Sequence, residues 1–105
     1  MRGHNVMVEG VCGLYGALVA NNERWRDMQI AQAWKIFDRT MTIAARHANE
    51  IGDWREHERT WTVAQAERAT LTNAAWHEYR MATFHVNVWF QLRLNRAIPG
   101  RELLG

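Results

Sequence analysis

Four of the five histidines, His47, His57, His77 and His85, lie in the stretches most able to ligate a metal or move a proton. A helical zinc protease site needs His-Glu-x-x-His, which sets two imidazoles one turn apart. At that distance His57-Glu58 is followed by Trp61 and His77-Glu78 by Met81, so both second ligands are missing. Di-iron bundles use Glu-x-x-His pairs, and the chain has none. A bend at Gly52 could bring His47, Glu50 and His57 together, but their spacing matches no known ligand set. Glu56 and Glu58, two apart, point to different sides of a helix. There is no serine, and Cys12 is the single cysteine, which excludes a serine nucleophile, an internal disulfide and a multi-cysteine zinc site. Gly10, Gly13 and Gly16 lack the Lys-Ser/Thr that completes a phosphate loop. No catalytic, cofactor-binding or metal-ligating residue is therefore assigned. No cofactor is expected, and the chain reads as non-enzymatic.

What the sequence does concentrate is tryptophan, at positions 25, 34, 54, 61, 76 and 89. Trp carries the largest apolar area of any side chain and is enriched at interfaces. Arg55, Arg59, Arg80, Arg93 and Arg96 have aromatic neighbours, a combination that phosphate contact and base stacking use. Glu56, Glu58, Glu67 and Glu78 are interleaved with them, and a net charge of +2 makes a weak field. Nucleic acid is thus a minor candidate partner.

These side chains need elements to carry them. No proline precedes Pro99 and alanine is abundant, so long helices are permitted along most of the 105 residues. Residues 1–20 form an apolar lead-in whose glycines recur every third position, read as loosely ordered or as a helix packed on a partner. A helix is expected over 22–51, capped by Asn21 or Asn22. Its apolar residues Ile30, Ala33, Trp34, Phe37, Met41, Ala44, Ala48 and Ile51 step mostly by three and four. Trp25, Ile36 and Ile43 make a second stripe, so two neighbours are expected. Gly52 suits the left-handed position after a helix end, and Asp53 with Glu56 suits a new N-terminus. A helical hairpin follows, the alternative being one helix straight through Gly52.

A second helix is expected over 53–82. Trp54, Trp61, Arg68, Ala75, Ala82 and Trp89 recur every seven residues, a packing seam interrupted by Arg68, which would pair with a carboxylate or mark an opening. From Phe84 to Leu94 apolar residues alternate with others, a period of two that favours a strand over 83–96 as much as a helix continuation. Either form leaves apolar surface that demands cover from beyond the chain. Trp54, Trp61, Tyr79, Val86, Val88, Trp89 and Phe90 are the expected interface residues. Residues 97–105 read as a tail.

Val11 to Ala20 is roughly half the length of a membrane span. It could touch a membrane but not cross one, and no secretory signal precedes it. The stretches MQIAQAWKIFDRTMTIAARHANE and WTVAQAERATLTNAAW, behind a glycine-spaced apolar start, resemble the small internal virion (ejection) proteins of short-tailed phages. The resemblance covers roughly residues 10–80 in style. Those proteins are helical, pack inside the capsid on the portal axis and help form a conduit for DNA. It implies a virion structural subunit whose partners are its own copies or other assembly proteins, and it assigns no site residue. The alternative is a small helical binding or regulatory module acting on a protein or nucleic acid, located in the cytoplasm.

Overall fold

The structure is a computed structural model that describes residues 2–97, with side chains described over 7–96. Two helices account for nearly all of it: α1, Arg2–Ile51, and α2, Arg55–Ala97. They divide between two compact units, one of Met1–Trp25 with Glu78–Gly105 and one of Arg26–His77.

The turn between the helices lies in the second unit. Gly52 sits at φ 68°, and the Asp53 N–H donates to the Ala48 carbonyl at 3.2 Å. That bond reaches back over a left-handed residue to close the last turn of α1, the Schellman arrangement. Asp53 then serves α2: its carboxylate accepts the Arg55 backbone N–H at 3.0 Å and the Arg55 guanidinium at 2.9 Å. The guanidinium and N–H of Arg55 hold the Asp53 carboxyl below the ordinary carboxylate range. The break expected at Gly52 is present. Replacing Gly52 by Ala meets no atom within 4 Å, so only backbone strain opposes it. Gly52→Ala is expected to destabilise the turn by about 1–2 kcal/mol, read as a lower midpoint in urea with an unchanged slope. An unchanged midpoint would show that the left-handed position is not needed.

Three expectations are corrected. The helix does not begin at Asn22: α1 takes in the glycine-spaced segment from Arg2 onward. Val8, Val11, Tyr15 and Leu18 are part-buried one helical face apart from those glycines, and this packing outweighs the glycines' poor propensity. The strand over Phe84–Leu94 is absent, since α2 runs through it and the described residues include no strand. A helix satisfies its own backbone, whereas a strand with no mate would leave its N–H and C=O groups unpaired. Of the tail 97–105, Ala97 ends α2 and the rest lies outside the described residues.

The third correction concerns the seven-residue lane. The covered positions of α2 run through His57, Thr60, Ala64, Arg68, Thr72, Ala75, Tyr79, Ala82, Val86, Phe90 and Leu94, with Gln65, Ala69, Thr83, Trp89 and Asn95 part-covered beside them. Between Thr60 and Thr72 the seam advances by fours, as a stutter does, so a strict seven-residue lane drifts off it. Trp54 and Trp61 consequently flank the seam, each 48% exposed, while Ala75 is buried.

Candidate interaction surfaces

Within the unit of Met1–Trp25 and Glu78–Gly105, α1 and α2 meet through Tyr15. Its hydroxyl donates to Asn87 Oδ1 at 2.7 Å, and its ring lies 4.3 Å from the Phe90 ring. Leu94 is buried in the same unit. Asn22, foreseen as a cap, lies inside the helix with its Nδ2 buried and unpartnered, as is the Thr83 hydroxyl. Arg93 stacks over Trp89 at 5.9 Å.

Within Arg26–His77, alanines close the helix contact. Ala33, Ala48, Ala64 and Ala75 are 2–6% exposed. Two arginines stand over indoles: Arg68 over Trp34 at 4.2 Å and Arg26 over Trp76 at 4.5 Å. Arg68 thus answers the interruption of the seam with a ring face and with Gln65, whose Oε1 accepts from its Nε at 3.3 Å, rather than with a carboxylate. A cation over an aromatic face keeps its attraction with less desolvation than a buried ion pair demands.

The core so formed is thin. Only the four alanines and Leu94 are buried among the described residues, and no large side chain is below 2% exposure. Each alanine methyl contributes roughly 0.8 kcal/mol, against about 1.5–3 kcal/mol for a buried Leu or Phe. Outside the seams, 17 large apolar side chains are exposed. Ile36 and Ile43, the second stripe of α1, are 46% and 60% exposed. On α2, Met81, Phe84, Val88 and Leu92 are 45%, 58%, 43% and 57% exposed.

The period-two pattern explains this last group. Two residues turn a helix by about 200°, so alternate positions fall on opposite sides. Val86, Phe90 and Leu94 face the seam, and Phe84, Val88 and Leu92 face away from it. Gly10, Gly13 and Ala17 stand in the same relation to the α1 seam residues Val8, Val11 and Tyr15. A Cβ built on Gly10, Gly13 or Gly16 would meet nothing within 4 Å. Each glycine costs its helix about 1 kcal/mol against alanine, and no close approach inside the chain calls for it.

A cleft of about 310 Å³ lies between the end of α1 and the start of α2, over Ile43, Ala44 and Ala48. His47, His57, Asp53 and Glu56 edge it; Glu50, weighed from the sequence, does not. His57 packs edge-on to Trp54 at 5.0 Å, and Asp53 is engaged by Arg55. Among the described residues no group of three or more His, Cys, Asp or Glu is placed to hold a metal ion.

The expected interface residues separate into two sets. Trp54, Trp61 and Val88 are exposed, whereas Tyr79, Val86, Trp89 and Phe90 are part-covered within their own chain. Sequence reasoning did not single out Met81 or Ala17 as parts of outward faces, although it read Gly10, Gly13 and Gly16 as a face open to a partner. The signal for Met81 and Ala17 was present as positions two residues from seam members. The nucleic-acid candidates Arg55, Arg59, Arg80, Arg93 and Arg96 are all exposed, Arg55 paired with Asp53 and Arg93 set over Trp89. In the described residues no helix is long and apolar enough to cross a membrane. No protein-family model, no curated protein and no solved structure matches the chain.

Proposed function

We propose that this chain is a non-enzymatic helical subunit of a larger oligomeric assembly, with a phage virion as the setting that the sequence resemblance implies. The observation that supports it is the inversion of burial: among the described residues the buried side chains are nearly all alanine, while 17 large apolar ones are exposed. A soluble monomer rarely leaves more than a few hundred Å² of contiguous apolar surface in water. Helices that bury alanine on one side and carry Ile, Phe, Val and Leu on the other are layered between neighbours.

The test is the melting transition of the purified full chain, followed by circular dichroism at low concentration. A broad transition below the range of ordinary mesophile domains, about 45–65 °C, is expected. A cooperative, concentration-independent monomer within or above that range would overturn the proposal. Tight DNA binding with a steep salt dependence would instead favour the regulatory module. Trp61→Ala is expected to weaken assembly more than His57→Ala, because half of the Trp61 surface faces outward while His57 turns into the seam. Equal losses, or a metal-dependent loss at His57, would return attention to the cleft.

A further inference from the structure

Resting on that reading, we infer that the neighbour covering the outer face of α2 is a second copy of this chain, seated head-to-tail. The ridge of Met81, Phe84, Val88 and Leu92 on one copy packs on the outer face of α1 around Gly10, Gly13 and Ala17 on the next.

The support is level. Tyr15 bonds Asn87 and stacks on Phe90, which sets the height of α1 against α2 in this unit. By the Tyr15–Asn87 pairing, Gly10 stands at the height of Leu92, Gly13 within a residue of Val88, and Ala17 within a residue of Phe84. One residue is about 1.5 Å of helix. A copy moved sideways with no slide along the helix therefore brings Leu92 against Gly10 and sets Val88 and Phe84 beside Gly13 and Ala17, with Leu14, 49% exposed, flanking the groove at the level of Val88 and Asn21 at that of Met81. Ridges fill grooves in this way when helices pack.

At about 150–250 Å² for a large side chain, the four exposed members of the ridge present on the order of 350 Å². A standard interface takes roughly 800 Å² from each partner, with an apolar core inside a polar rim. The ridge is the apolar core of such a contact and supplies under half of the area a standard interface takes, so flanking residues must supply the rest. Arg80, His85 and Gln91 are exposed beside the ridge and suit that rim. The same unit carries the ridge and its complement on opposite sides, so each copy can give one contact and take another. Such a contact uses different patches on the two partners, and it builds rings or open rows rather than closed pairs.

Gly10 and Gly13 then have a reason. Nothing in their own chain approaches within 4 Å of where a Cβ would stand, and a neighbouring ridge would occupy that space.

Cys12 supplies the test, being the single cysteine, exposed, and adjacent to Gly13. The full chain is labelled there with a benzophenone maleimide, mixed in equal parts with unlabelled-thiol chain grown on heavy nitrogen, and irradiated. Trypsin releases Met81 to Arg93 as one peptide. Cross-links from light Cys12 to the heavy form of that peptide are expected. Cross-links only within one chain, or to α1 of the neighbour, would overturn the inference. Val88→Lys is expected to lower inter-chain cross-linking at least tenfold with helix content unchanged, since Val88 faces away from the seam. Gly13→Leu provides the complementary variant: it adds helix propensity to the single chain, yet should lose inter-chain cross-linking by a similar factor. Undiminished linking in both variants would refute the packing. A chain that stays poorly folded and monomeric at high concentration would refute the second copy alone, leaving the assembly role to a different neighbour.

Discussion

Diluting the purified chain from about 100 µM to about 1 µM is expected to lower its melting temperature by roughly 10–20 °C. A folded state that requires a second copy loses about 1.4 kcal/mol for each tenfold dilution, hence about 2.7 kcal/mol here. In a chain of this size 1 kcal/mol moves the midpoint by about 4–8 °C. The buried set of four alanines and Leu94 cannot offset that loss, because most of the apolar surface able to do so is outside the seams. Far-UV circular dichroism across the dilution series is the measurement. Val88→Lys should flatten the dependence and hold the midpoint near the dilute value at every concentration. A wild-type midpoint that does not move would mean that each chain folds by its own contacts.

The places where the sequence was legible share one property: a single helix face had to satisfy a single neighbour. Of the expected stripe, Ile30, Ala33, Phe37, Met41, Ala44 and Ala48 are buried or part-covered, while Trp34 and Ile51 are exposed at its edge and end. Gly52 declared the turn because only a left-handed residue with no Cβ closes α1 there without strain. Illegibility began where one stretch serves two faces. Phe84 to Leu94 has the pattern of a strand with one buried side, and equally that of a helix with an apolar row on each side. Periodicity does not separate the two, because two residues are about half a turn in a helix and a full repeat in a strand. The lane of Trp54, Trp61 and Arg68 failed for a different reason. A lane of fixed period holds only while the seam keeps that period, and the run of four-residue steps from Thr60 to Thr72 is invisible without the opposing helix. The cleft edged by His47 and His57 was within reach, as the bend at Gly52 foretold their approach. Its carboxylates are Asp53 and Glu56, at the turn and the start of α2, rather than Glu50.

Enlarging the seam alanines is expected to destabilise the chain, although adding apolar volume to a core often helps. Ala33→Leu and Ala75→Leu are the sharpest cases, at 2% and 3% exposure. Helices meeting through methyl groups leave no room for three more carbons, so the added side chain must leave its preferred rotamer or push the helices apart. Overpacking of this kind costs about 1–3 kcal/mol, or a midpoint lower by roughly 5–20 °C. At Ala33 the effect extends to the neighbouring Trp34, whose indole lies under the Arg68 guanidinium at 4.2 Å and must keep its place for that contact to persist. Ile43→Ala is the control: Ile43 is 60% exposed, and its loss should change the stability of the dilute chain by no more than about 0.5 kcal/mol. Urea midpoints at fixed low concentration compare the three. If both leucine variants are more stable than the parent, the seam holds unfilled space, and alanine there does not set the closeness of the helices. If Ile43→Ala costs as much as they do, the outward stripe of α1 is covered within the single chain. The two results are separable, because Ala33 is buried in the contact between α1 and α2 whereas Ile43 stands mostly exposed at its flank, on the lip of the cleft.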